Sequence, residues 1–133
     1  MVALGATLEM TTTESKARAF KTKKFGKDAA KALILDADLC QAIEEVKAGL
    51  AVDLGGGVFK KRLNKNAHRS LLLAKGGTVW VYQFLFAKKD ADNIGDDDLV
   101  ALKRLAKLYQ QLSPSELAAL IATKEFVEIC HDD

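Results

Sequence analysis

The sequence predicts a small α+β domain, ordered as a strand, two helices, a three-strand meander, two more helices and a closing strand. Three observations carry this. Apolar residues recur at helical spacing over 39–50 and again over 99–112. Between them lie three strand-like runs, separated by a polar loop and a Gly-Gly turn. The chain has 133 residues, 49% of them hydrophobic, which suits one domain with a buried core and is too short for two.

Residues 1–15 have no periodicity and are rich in threonine, so they are expected to be a disordered or extended N-terminus before a single domain over 16–133. Met10 is an alternative start to Met1. Ala19 to Lys23 alternates weakly and predicts a first strand, and residues 24–34 predict a short basic helix. Leu39, Ile43, Val46 and Leu50 share one helical stripe that Asp36 or Asp38 can cap, with Leu54-Gly55-Gly56-Gly57 as its stop and sharp return. The meander follows as Val58 to Leu63, His68 to Lys75 and Thr78 to Ala87. Its connections are Asn64-Lys65-Asn66-Ala67 and the Gly76-Gly77 turn.

Strict alternation in the third run puts Trp80, Tyr82, Phe84 and Phe86 on one face and Val79, Val81, Gln83 and Leu85 on the other, the mark of a central strand. Asp96-Asp97-Asp98 then opens a helix with Leu99, Leu102, Leu105, Leu108 and Leu112 in a three-residue rhythm. Ser113-Pro114-Ser115-Glu116 is a capping box with proline at the first helical position, opening a helix to about Thr123. Glu125 to Cys130 predicts a last strand.

Several classes are excluded. No apolar run reaches the roughly 18–20 residues of a membrane helix. Met1 to Thr13 lacks the basic start of a secretory signal, so a cytoplasmic location is expected. Cys40 and Cys130 are too few for a disulfide framework, and in that compartment both are expected to be reduced thiols. Gly55-Gly56-Gly57 lacks the frame of a phosphate loop. The aspartates near 90–98 lack EF-hand spacing and read as helix-start carboxylates, and the two cysteines and two histidines show no zinc spacing. His131-Asp132-Asp133 is expected to be frayed. No metal and no cofactor are therefore expected.

The net charge of +2 conceals an asymmetry. Residues 16–89 hold 16 Lys/Arg against 6 Asp/Glu, and residues 90–133 hold 4 against 10. Residues 54–89 carry eight cations (Lys60, Lys61, Arg62, Lys65, Arg69, Lys75, Lys88 and Lys89) and no carboxylate. Solvated surfaces normally mix both signs, so this stretch points to a polyanion. Alternation sends Lys60 and Arg62 to one face of their strand and Lys61 to the other, and three adjacent cations suggest an edge strand. If the three strands are neighbours, these cations converge with His68 and Arg69, and an imidazole among them is a proton carrier.

Three segments resemble a known family. They are Phe20-Lys21-Thr22-Lys23-Lys24-Phe25, then Asp53 through Arg62, then Phe86-Ala87-Lys88 with Asn93-Ile94 before an acidic-start helix. Over about residues 19–130 the chain resembles the RelE-like toxins of bacterial type II toxin–antitoxin systems. The resemblance implies a small antiparallel sheet with two N-terminal helices on one face and a helical C-terminal extension. It implies an mRNA endoribonuclease, often acting in the ribosomal A site, which inhibits translation and is silenced by a cognate antitoxin of the helix-turn-helix kind. The superfamily also contains ParE-like gyrase poisons, so a non-enzymatic inhibitor or a plain nucleic-acid-binding domain is the alternative.

The chain departs from the family at one place. The loop after the basic strand is short, and His68-Arg69 stands where a Tyr-Arg pair is expected, so Arg69 matches and His68 substitutes. Metal-independent RNA cleavage needs a group to take the 2′-OH proton and cations to hold the phosphorane. The residues predicted for it are His68 for the proton and Arg69, Arg62 and Lys60 for the phosphate. Lys61, Lys65, Lys88 and Lys89 are expected to follow the RNA backbone, and Tyr82 or Phe86 to stack on a base.

Overall fold

The computed structural model describes residues 17–90 and 93–130. The extension 1–15, with Met10, and His131-Asp132-Asp133 lie outside the described residues. The elements run β1 (Arg18–Thr22), α1 (Lys23–Lys31), α2 (Asp36–Lys47), β2 (Val52–Gly55), β3 (Val58–Leu63), β4 (His68–Lys75), β5 (Val79–Ala87), α3 (Asp96–Gln110), α4 (Pro114–Ala122) and β6 (Phe126–Ile129).

The sheet is larger than expected and not purely antiparallel. Its six strands lie in the order β2-β3-β4-β5-β1-β6, and β1 pairs with β5 in parallel while the other neighbours are antiparallel. The unexpected strand is β2, because α2 stops before the glycine triplet. At its end Gly49 takes φ +90°, Gly49 N donates to Val46 O at 3.0 Å and Leu50 N to Glu45 O at 2.8 Å. This paired C-cap ejects Leu50, which is 62% exposed rather than part of the stripe. Gly55, Gly56 and Gly57 (φ +88°, +63° and +88°) make the β2–β3 turn instead. At Gly57 a Cβ would also meet Gln110 Nε2 at 2.7 Å. Because β2 covers it, the cationic strand β3 is not an edge.

Alternation along β4 separates two cores. Leu72 and Ala74 join Phe25 and Ala29 of α1 and Leu39, Ala42, Ile43 and Val46 of α2. Leu71 and Leu73 join Val58 of β3 and Leu102 and Ala106 of α3. The leucine rhythm of α3 fits this only in part. A three-residue step drifts off a 3.6-residue helix, and Leu108 ends up exposed.

The four aromatics of β5 do not share a face. The β4–β5 register shifts between Leu71 and Leu72, so Phe84 opposes Leu71 while Tyr82 opposes Leu72, and Gln83 is the extra residue. Trp80 and Tyr82 therefore pack with α1 and α2, whereas Phe86 packs with the α3 core. Tyr82 is fully buried, its ring stacks on Phe25 at 5.0 Å, and its hydroxyl donates to Leu39 O at 2.7 Å. Burial pushes its pKa far above that of an ordinary phenol. Tyr82 is part of the core and not a base-stacking residue. Tyr82→Phe is expected to cost about 1 kcal/mol, the net value of one hydrogen bond, read as a lower urea midpoint with an unchanged slope.

The capping box at α4 forms as predicted: Ser113 Oγ accepts from Glu116 N at 3.1 Å and Ser113 N donates to Glu116 Oε1 at 2.8 Å. The backbone hydrogen bond from Ser113 holds the Glu116 carboxyl below its usual pKa. A carboxyl lowered in the folded state stabilises above its unfolded pKa, and that stability is lost as pH falls through the folded value. Ser113→Ala is expected to cost about 1 kcal/mol at neutral pH and less in acid, checked by denaturation at both pH values.

Cys40 and Cys130 form a disulfide, with Cα atoms 5.4 Å apart and a sequence separation of 90, and so are not the free thiols expected. The cause is topological. β6 returns antiparallel beside β1 and delivers Cys130 to the α2 side of the sheet, which cysteine spacing alone does not reveal. Among the described residues no helix is long and apolar enough to cross a membrane.

Candidate functional site

The site is built by the pleat of β3 and β4. Arg62 lies opposite Arg69, Lys60 opposite Leu71 and Val58 opposite Leu73, while Arg69 also faces Phe86 across the β4–β5 pair. Val58, Leu71 and Leu73 mark the α3 face. Lys60, Arg62 and Arg69 share that face by alternation. Like charges directly across a strand pair repel, and an anion lying over them relieves the repulsion.

The three cations differ in setting. Lys60 Nζ donates to Asn93 Oδ1 at 2.8 Å, and Arg62 is exposed. Arg69 is only 2% exposed, not the near-surface residue expected of a strand start. Its Nη1 donates to Asn66 O at 3.1 Å, Asn66 Oδ1 at 3.0 Å and His68 O at 3.3 Å. The loop above it explains the burial. Asn64, Lys65 and Asn66 all take positive φ (54°, 54° and 73°), which asparagine tolerates and lysine does not favour. The Arg69 guanidinium satisfies the backbone of that strained loop from below.

His68 and Lys61 belong to the other face. Lys61 Nζ pairs with Glu45 of α2 at 2.8 Å, and that hydrogen bond holds the Glu45 carboxyl below its usual pKa. His68 is half-buried, with Nδ1 3.2 Å from Asn64 Nδ2, beside a shallow cleft formed with Asp28, Lys31 and Asp90. The sequence placed His68 and Arg69 in one constellation, but adjacent strand residues point to opposite faces. Lys65, Lys88 and Lys89 are exposed. The turn after β5 is tied to the β3–β4 loop by Lys88 N donating to Ala67 O at 2.9 Å. These three lysines therefore ring one end of the sheet.

Beside Lys60 and Arg69 lies a cleft of about 540 Å³ between β4, β5 and the start of α3. Its apolar lining includes Leu71, Phe84, Phe86 and Leu102, with Asn93 and Asp98 as polar members. Phe86, a predicted stacking residue, is half-buried in this wall. Two residues here escaped the sequence. Phe84 is 41% exposed, which strict alternation hid because the bulge at Gln83 reverses the faces. Asn93 carried no chemical signal apart from its place in the family resemblance. Among the described residues no group of three or more His, Cys, Asp or Glu side chains is arranged to hold a metal ion.

No curated protein and no solved structure matches the chain. It does match the family model described as the RelE toxin of the RelE / RelB toxin–antitoxin system, over residues 17–129. That match runs from the residue before β1 to the end of β6, the whole of the sheet that carries the cationic face, and the chain belongs to the RelE toxin family.

Proposed function

We propose that this toxin is an mRNA endoribonuclease that inhibits translation, acting in concert with the ribosome. The observation that supports it is the alignment of Lys60, Arg62 and Arg69 on one face next to the cleft between β4, β5 and α3. Cleavage needs no metal in this reading. The RNA 2′-oxygen attacks the adjacent phosphorus, the P–O5′ bond breaks, and the guanidinium groups stabilise the charge that builds on the phosphorane oxygens. Of the three cations only lysine can exchange a proton, since guanidinium stays charged at any working pH. Lys60 is therefore assigned to protonate the departing 5′-oxygen, with the 2′-OH proton leaving to solvent water, and His68, across the sheet, contacts the RNA at the rim with Lys65, Lys88 and Lys89.

As a member of a toxin–antitoxin family the chain has an antitoxin partner. An acidic or amphipathic segment of that partner suits the cationic face. Induction in bacterial cells followed by mRNA 5′-end mapping tests the reading. New 5′ ends within coding regions, lost in a Lys60→Ala strain, support it; growth arrest with intact transcripts overturns it. One observation favours a second reading, a non-enzymatic inhibitor such as a gyrase poison: the imidazole and the guanidinium pair do not share a face. A supercoiling assay on purified gyrase separates the two.

A further inference from the structure

We infer that the Cys40–Cys130 disulfide is a redox latch on the last strand. Oxidised, the bond pins β6 to the sheet. Reduced by a dithiol, it releases β6 to open on its own, and the backbone after Lys124 becomes a point of proteolytic attack. The thiol state of the surroundings then sets how long the toxin survives. The inference is independent of the ribonuclease reading, because the latch lies away from the cationic face.

Position comes first. The bond joins α2 to the residue that follows β6. β6 is four residues long and lies at the edge of the sheet, beside β1. Between it and the cationic strands β3 and β4 stand β1 and β5, so opening β6 leaves the ladder that aligns Lys60, Arg62 and Arg69 in place. Besides the bond, β6 is held by its pairing with β1, by Phe126 and by Ile129. The Phe126 ring lies 5.7 Å from Phe20 and 5.3 Å from Tyr109. Val127 is exposed, and Glu128 pairs with Arg18 at 2.8 Å near the surface, where an ion pair adds little.

The backbone adds a second argument. β6 is bracketed by two left-handed residues, Lys124 at φ +64° and Cys130 at φ +62°. Residues with a side chain hold that conformation only where their surroundings enforce it. At Lys124 the end of α4 does so, through the Lys124 N–H donating to Ile121 O at 3.0 Å. At Cys130 the bond to Cys40 does so. Once the bond opens, Cys130 relaxes to an ordinary conformation, which redirects the chain and works against the pairing of Ile129 with Ala19.

Access completes the case. Both cysteines are half-buried, so a thiolate reaches the bond without the fold first melting. One thiolate of the dithiol attacks a sulfur of the bond to give a mixed disulfide, and the other cysteine leaves as a thiolate and takes up a proton. The second thiol of the reductant then displaces the remaining cysteine. Two electrons have moved, leaving two protein thiols and an oxidised dithiol.

The test uses the full chain, oxidised or in dithiothreitol, beside Cys40→Ser, which cannot form the bond in either condition. Labelling the reduced, folded wild type with N-ethylmaleimide is expected to add two labels by intact mass, well below the melting temperature. Trypsin cuts after lysine, and Lys124 is exposed. Cutting there is expected to be about tenfold faster or more in the reduced protein, since cleavage tracks the population of the open form. Hydrogen exchange separates local opening from loss of overall stability. The amides of Phe126 to Ile129 are expected to quicken about tenfold or more beyond any change in Leu71 to Leu73 of β4. Cys40→Ser should match the reduced wild type in both measurements, with no further effect of dithiothreitol. A bond that resists dithiothreitol until the fold melts overturns the latch, as does cutting at Lys124 at one rate in both states. Exchange that quickens equally in β4 and β6 also overturns it, because the bond then braces the whole fold. So does dithiothreitol that speeds the cutting of Cys40→Ser as much as that of wild type, because the effect then lies outside the bond.

Discussion

Replacing both Cys40 and Cys130 by alanine is expected to lower the thermal midpoint by on the order of 10–20 °C. The bond joins residues 90 apart, linking α2 to the end of β6. Closing a loop of that length removes about 4–5 kcal/mol of conformational freedom from the unfolded chain in the loop-entropy account. β6 is a four-residue edge strand and the end of the described sheet. Short terminal elements are the first to open, so the disulfide does its work where the fold is weakest. Calorimetry of the wild type with and without dithiothreitol, beside the double variant, checks this. The reduced wild type should melt with the variant. Coincident melts of oxidised and reduced protein would show that the bond constrains nothing.

Arg62→Ala is expected to reduce mRNA cleavage by about 10²–10³ while changing stability by no more than about 0.5 kcal/mol. Arg62 is exposed and its neighbour across the strands is another guanidinium, so its removal leaves no buried group unpaired. Arg69→Ala is expected to show the same loss of cleavage and a further loss of about 2–4 kcal/mol in stability. There the carbonyl and side-chain oxygens of Asn66, and the carbonyl of His68, lose a charged donor beneath a loop of three left-handed residues. Cleavage of a defined transcript on ribosomes, measured beside urea denaturation, separates the two variants. If Arg62→Ala cuts at the wild-type rate, the cationic face does not hold the scissile phosphate. If Arg69→Ala is as stable as wild type, the guanidinium does not support the loop.

His68→Ala, by contrast, should leave chemistry nearly intact. The sequence grouped His68 with Arg69 because they are adjacent, and adjacency on a strand is what separates them. Pleating alternates faces with a period of two, so the true partners of Arg69 are Arg62 across the ladder and Lys60 two residues further on.

Much of the architecture was legible in local chemistry. The capping box at Ser113, the strand from His68 to Lys75 and the buried stripe of Leu39, Ile43 and Val46 all follow from hydrogen-bonding preference or periodicity over a few residues. The cationic character of residues 54–89 was equally plain, since charge is a property of composition. Three features depended on parts of the chain that are distant in sequence. The Cys40–Cys130 bond needs β6 to fold back beside β1. The strand β2 exists because Gly49 ends α2 early enough to leave four residues for pairing with β3. The exposure of Phe84 and the burial of Tyr82 turn on one extra residue at Gln83. Composition and periodicity determined that this chain folds as an α+β domain with a cationic middle. Which face each cation and each ring occupies was decided by register, and register is set only when the strands meet, because a shift of one residue inverts every side chain that follows.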